Sequence, residues 1–110
     1  MEERLPTELR VAAHLRHCIA LGLPVYVARR GSSAGTVLLR SSLHGTECRL
    51  FNQIRDMDGN LGWMGLYEGA VVEETRADQY VRRATETDPD IWVIEIEGAD
   101  GRNPFEGKIF

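Results

Sequence analysis

One stretch constrains this chain more than any other: Asp88-Pro-Asp-Ile-Trp-Val-Ile-Glu-Ile-Glu97. β-Branched and aromatic residues fill Ile91 to Ile96, and such residues favour a pleated, packed surface. Pro89 stands just ahead of the run, where its missing N–H removes nothing from a ladder. Side chains alternate along a strand, so Trp92, Ile94 and Ile96 share one face while Ile91, Val93, Glu95 and Glu97 share the other. The first set is wholly apolar and predicts burial. The second begins apolar and ends charged, which predicts a face covered at one end and wet at the other. The expectation is an interior strand with helices on the Trp92 side.

At 110 residues the chain has the length of a single domain, 1–110, with a modest core. Its 43% hydrophobic and 27% charged content is that of a folded globular protein rather than a disordered one. No apolar run approaches the ~20 residues of a membrane-spanning helix, and Met-Glu-Glu-Arg is unlike the start of a signal peptide. Two cysteines, Cys18 and Cys48, cannot build a disulfide framework, which points to a reducing, cytoplasmic setting. Charge is polarised along the chain. Residues 1–55 hold eight basic and four acidic side chains, whereas residues 56–110 hold five and thirteen. Arginine pairing with carboxylates between the two halves accounts for this pattern, and opposed halves also allow self-association.

Thr7 reads as the N-cap of a helix over 7–22, ended by Gly22 and Pro24. Its apolar stripe is Val11, Ala12, Leu15, Cys18, Ile19 and Leu23, with Arg10, His14 and His17 off centre. Val25–Arg30 and Thr36–Ser41 read as strands joined by a Gly31-Ser-Ser-Ala-Gly35 hairpin loop. After a turn at Leu43-His-Gly-Thr46 comes a third strand over 48–54. Asp56-Met-Asp-Gly-Asn60 is a turn, and 62–67 a fourth strand. Thr75 reads as the cap of a second helix, with Asp78 in the capping-box position and Ala77, Tyr80, Val81 and Ala84 as its apolar stripe. Asp100-Gly101 invites a tight turn. Phe105, Ile109 and Phe110 are candidates to pack back on the body.

Arg29-Arg30-Gly31 with Ala34-Gly35-Thr36-Val37-Leu38, then Asp58-Gly59 with Trp63-Met64, then the Asp88–Glu97 stretch, together resemble a small bacterial family. It is the domain-of-unknown-function family fourteen ninety-one, and the similarity runs from about Leu9 to Arg102. The resemblance implies a bacterial, cytoplasmic, single-domain protein and brings no activity, ligand or catalytic residue with it. Ser32 and Ser33 stand where that family's pattern is expected to be acidic. His14, Cys18, His44 and Cys48 lie outside the pattern.

Three constellations bear on chemistry. His14-x-x-x-Cys18 and His44-x-x-x-Cys48 have helical ligand spacing, yet zinc sites normally draw on close cysteine pairs in tight turns, and both thiols fall on apolar stripes. Buried thiols are therefore expected, with no metal or cofactor. Arg29–Thr36 has the glycines and arginines of an anion nest but lacks the Gly-Lys-Ser/Thr ending of a P-loop; a plain hairpin is favoured. In the third strand, Cys48, Leu50 and Ile54 point one way and Arg49, Phe51 and Gln53 the other. An exposed Arg49–Phe51–Trp63 face would suit base stacking, but an RNA-binding fingerprint is missing and net charge is −4. Contact with a second layer, a tail or a partner is favoured for those rings. The acidic residues, Glu95 and Glu97 included, find no nucleophile or third group that would make a catalytic set.

The fold expected is α+β: an antiparallel meander, order α-β-β-β-β-α-β, with both helices on one face. Expected core residues are Leu15, Ile19, Val25, Val27, Leu39, Leu50, Tyr80, Trp92, Ile94 and Ile96. The function expected is a non-catalytic binding or protein-interaction module. Its candidate surface is Arg29, Arg30, Arg49, Phe51 and Trp63, with a protein partner or a second copy favoured over nucleic acid and no membrane contact. The competing reading is a nucleotide or phosphate binder using Arg29–Thr36 and Arg49/Phe51.

Overall fold

The computed structural model describes residues 5–44, 46–105 and 108–110. The N-terminal tetrapeptide and Gly45 of the Leu43–Thr46 turn lie outside them. In chain order the elements are α1 (Thr7–Ala20), β1 (Val25–Arg29), β2 (Val37–Ser42), β3 (Glu47–Arg55), β4 (Leu61–Gly65), β5 (Val72–Glu73), α2 (Glu74–Thr87), β6 (Trp92–Ile96) and β7 (Lys108–Ile109). The class is α+β, in the element order expected. Sheet order is β1-β6-β2-β3-β4-β7, with β5 paired to the free stretch of β3.

β6 is an interior strand, second from the β1 edge. It runs antiparallel to β1 and parallel to β2, with Val37 opposite Trp92 and Leu39 opposite Ile94. The expected 31–35 hairpin therefore does not exist. A parallel pair needs a long crossover, and the path through β3, β4, β5 and α2 delivers β6 into the gap between β1 and β2. Residues 30–36 instead form a strap over the start of β6. Ser32 N–H donates to Asp90 O at 3.1 Å, Trp92 N–H to Thr36 O at 2.9 Å, and the Trp92 indole N–H to Ser32 O at 2.8 Å. Gly31 and Gly35 are demanded by this approach, since a Cβ on either would lie 2.1 Å and 1.7 Å, respectively, from Asp90 O.

The two helices do not share a face. Trp92, Ile94 and Ile96 pack with Val37, Leu39, Phe51 and Trp63 beneath Val11 and Cys18 of α1. Ile91 and Val93 pack with Leu38 against Tyr80, Val81 and Ala84 of α2, and Cys48 and Leu50 pack beside them with Ala77. The Ile91–Val93 face, expected to be covered at its apolar end and wet at Glu95 and Glu97, takes α2 as that cover. The α2 stripe is the one expected. Trp92 is buried as expected; Val93 is buried too, from the other side.

α1 is rotated from its expected orientation. Its inward row is Thr7, Val11, His14 and Cys18, whereas Ile19, expected in the core, is 69% exposed. Thr7 is not a cap: Pro6 holds that position, and the Thr7 hydroxyl donates to Gly35 O at 2.6 Å, fastening the helix to the strap. At the far end Leu23 N–H bonds Cys18 O and Gly22 N–H bonds Ile19 O, with Gly22 at φ 72°, a Schellman closure. α2 likewise begins one residue before Thr75. Thr75 is therefore not its cap, and Asp78, expected in the capping-box position, instead reaches Arg40 at 2.5 Å and joins the basic and acidic halves of the chain.

Candidate functional site

β3 carries the site. Phe51 and its neighbours of odd number, Arg49, Gln53 and Arg55, lie on the α1 face, opposite Cys48 and Leu50. α1 covers only part of that face. At the Arg49 end the cover comes from the C-terminal segment, which leaves a cleft of about 610 Å³. Phe51 forms its floor, Arg49 and Arg102 are its cations, and Ile109 and Phe110 form an exposed apolar rim.

Two unusual turns shape the walls. Tyr67, Glu68 and Gly69 follow β4 with φ of 51°, 57° and 77°. The first two are side chains in the left-handed region, a conformation worth roughly 1–3 kcal/mol of strain per residue. Gly69 O accepts from Arg49 Nε at 3.1 Å, so the strained turn fixes the guanidinium. The Tyr67 ring is held between Tyr80, at 6.0 Å, and Arg76, at 4.4 Å. On the other side Asp100 and Gly101, at φ 54° and 74°, make the tight turn expected there, closed by Arg102 N–H on Ala99 O at 3.0 Å. Ser41 Oγ donates to Arg102 O at 2.7 Å and anchors that turn to the sheet.

The five expected surface residues separate. Arg49 and Phe51 meet in the cleft. Trp63 stands opposite Gln53 rather than Phe51 and is completely buried, so it offers no surface. Arg29 and Arg30 lie at the strap. Arg29 donates to Pro89 O and Ile91 O, and the Arg30 guanidinium covers the Trp92 ring at 5.0 Å. The strap is no anion nest either, because the N–H groups of Ser32, Ala34 and Gly35 are spent on Asp90 O, Ser32 Oγ and Ser32 O. Cys18 and Cys48 lie on opposite faces of the sheet, and His44 is fully exposed, so the two His-Cys pairs do not converge.

Trp63 meets α1 and the tail. His14 stacks on Phe105 at 4.3 Å and tilts against Trp63 at 5.8 Å, while His17 bonds Pro104 O at 2.9 Å. The apolar stripe of the sequence leaves His14 off centre, yet its ring is packed inward between Trp63 and Phe105. Burial, helped by Arg10 and His17, pushes its pKa down from 6.5 to about 4. The unfolded chain thus takes up this proton before the folded one, and stability falls as pH drops from about 6.5 towards about 4. Above that window the residue is neutral in both states. His14→Phe, which keeps the stack, should flatten the acid limb of a urea-midpoint profile across that window; an unchanged limb would show that His14 does not set it.

A family model described as protein of unknown function (DUF1491) matches residues 5–106. A crystal structure of a DUF1491 family protein from Caulobacter crescentus CB15 is 36% identical, with a TM-score of 0.84 over 97% of this chain and 100% of that one. An NMR structure of a DUF1491 family protein from the same organism is 37% identical, with a TM-score of 0.82 over 99% of each. Protein Atu0922 from A. tumefaciens, solved in solution, is 26% identical, with a TM-score of 0.72 over 87% of each. No curated protein matches. The chain, from α1 through the strap and β6, belongs to the DUF1491 family of proteins of unknown function.

Proposed function

We propose that this protein is a non-catalytic binding module of the bacterial cytoplasm, and that the Arg49–Phe51 cleft receives a segment of a partner protein carrying an apolar side chain next to a carboxylate. The observation that carries this reading is the strained Tyr67–Glu68 turn, which clamps Arg49 beside an aromatic floor. Strain of that kind persists where the surroundings over-determine it, and it gathers at binding sites. The apolar rim of Ile109 and Phe110 suits an aliphatic or aromatic anchor, and the arginine forks suit its acidic neighbour.

Among the described residues that line the cleft there is no serine, threonine, cysteine or histidine, and Glu68 is the one side-chain carboxylate. Burial raises the pKa of both thiols, Cys18 and Cys48, and so disfavours the reactive thiolate. Two free, buried cysteines on opposite faces suit a reducing compartment. No helix among the described residues is long and apolar enough to cross a membrane.

A photo-crosslinking residue at Asn103 in the cleft, against one at Arg83 on α2, tests the reading in bacterial cells. Discrete adducts are expected at position 103 only, and Arg49→Glu with Arg102→Glu should remove them. Equal adducts at both positions, or adducts indifferent to the charge reversal, would refute it.

A further inference from the structure

The other end of the same strand face holds a second recess that the reading above does not use. It lies between the first turn of α1, the strap at Ser33–Thr36 and the last residues of β3, with a volume of about 380 Å³. It continues over Arg10 and Gln53 into a further 360 Å³ bordered by Leu9, Ala13 and His14. Arg10 and Arg55 line it, and among the described residues no Asp or Glu does. Hydrogen bonds hold both guanidinium groups in place. Arg10 Nη1 donates to Leu5 O at 3.0 Å and Nη2 to Thr7 Oγ1 at 3.3 Å, and Arg55 Nη1 donates to Gly59 O at 2.7 Å.

Gln53 decides what else the recess would recognise. Its side chain is 6% exposed and its Oε1 finds no protein donor. A buried amide oxygen left without a donor is disfavoured, and a ligand N–H or O–H relieves it. The backbone groups of the strap do not compete for this role, being bound to Asp90, Ser32 and Thr7.

From this geometry we infer a small-molecule site for an oxyanion, phosphate monoester or carboxylate, that carries a hydroxyl or amine on the neighbouring carbons. Arg55 takes the anion, and Gln53 Oε1 accepts from the neighbouring donor. The site is separate from the Arg49 cleft and needs no protein partner.

Titrating the 15N-labelled protein with inorganic phosphate, glycerol 3-phosphate and malate tests it, read at the Gln53 side-chain amide and the backbone of 33–36. The organic anions should bind at least about tenfold more tightly than phosphate, and Arg55→Gln should weaken all three by about tenfold. Gln53→Leu should erase the preference while leaving phosphate binding in place. A preference for the phosphate ester assigns a phosphate ligand, and one for malate a carboxylate ligand. No shift at these positions by about 20 mM of any probe would overturn the inference, as would shifts unchanged in Arg55→Gln. Equal binding of phosphate and the organic anions would overturn the role given to Gln53. The exposed end of Arg55 makes its variant safe for folding; Gln53→Leu is accepted only with a native-like spectrum, and Gln53→Glu, which should repel all three anions, stands in for it otherwise.

Discussion

Gly35→Ala should cost at least about 4 kcal/mol of stability, from one added methyl group. The glycine is not in a left-handed conformation, so the backbone itself would accept alanine. Space is what forbids it: the new Cβ would sit 1.7 Å from Asp90 O and 2.8 Å from Asp90 C, both backbone atoms that cannot swing aside. Relief requires lifting the strap off β6. That movement breaks the bonds from Thr7 Oγ1 to Gly35 O, from Ser32 N–H to Asp90 O and from the Trp92 indole to Ser32 O. Each is worth about 1 kcal/mol net, and overpacking strain of about 1–3 kcal/mol adds to them. In a domain of this size the melting temperature should drop by about 15 °C or more. Gly59→Ala is the control. Gly59 has φ 84° with nothing within 4 Å of the added carbon, so only the backbone penalty of about 1–2 kcal/mol applies. Urea unfolding with midpoints that rank Gly59→Ala above Gly35→Ala, at similar slope, is the expected result. A Gly35→Ala protein as stable as its parent would mean that the strap does not hold β6.

The same strap shows what local sequence can and cannot convey. Its two glycines were legible as a turn, and a five-residue link between strands reads naturally as a hairpin. Whether the strands so linked actually pair is settled by a third strand sixty residues later, which no local pattern announces. Signals for the true arrangement were nevertheless present. Val37-Leu38-Leu39 and Ile91-Trp92-Val93-Ile94 are continuous apolar runs, the mark of strands covered on both faces. Weighing those runs above Glu95 and Glu97 would have placed a helix on each side. The orientation of α1 was harder to read. A hydrophobicity scale prefers Ile19 to His14 and Thr7 for the inward row. Phe105 and Trp63 reverse that preference by giving the imidazole an aromatic socket, and Gly35 O does so for the hydroxyl.

The candidate site was half legible. Alternation along β3 set Arg49 and Phe51 on one face, opposed to Cys48 and Leu50, and the structure keeps that division. It does not keep the exposed sheet imagined around them, because α1 and the tail bury Trp63 and most of Phe51. The walls of the cleft come from separate segments around 65–69, 101–103 and 109–110, each unremarkable by itself. The left-handed turn at Tyr67 and Glu68 has no signature in residue type, since neither residue is one that favours such angles. Backbone conformation is what turns an arginine beside a phenylalanine into a site, and that information is tertiary.

Trp92→Ala tests the centre of this architecture and should be the most damaging side-chain truncation in the chain. The indole is 2% exposed, lies at the first β6 register position against Val37, and belongs to the cluster that joins β6, β2 and α1. Truncating a buried tryptophan costs about 3–5 kcal/mol in lost transfer energy and residual cavity. The variant also leaves Ser32 O without its indole donor and removes the ring under Arg30, adding about 1–2 kcal/mol. Against a typical total of about 5–15 kcal/mol, most of the molecules would be at or near unfolding at 37 °C. Trp92→Phe separates the contributions, for it fills much of the cavity yet lacks the N–H, and about 1–2 kcal/mol should be lost. Val93→Ala, one residue on and facing α2, removes much less volume and should cost about 1–3 kcal/mol. Because Trp63 and Trp92 are both buried, the Trp92 variants leave a single fluorophore whose emission reports the fold directly. A blue-shifted spectrum that moves red at lower urea in the order Trp92→Phe, then Trp92→Ala, is expected. If Val93→Ala were the more damaging of the two alanine variants, the core that organises the sheet would lie on the α2 face rather than beneath α1.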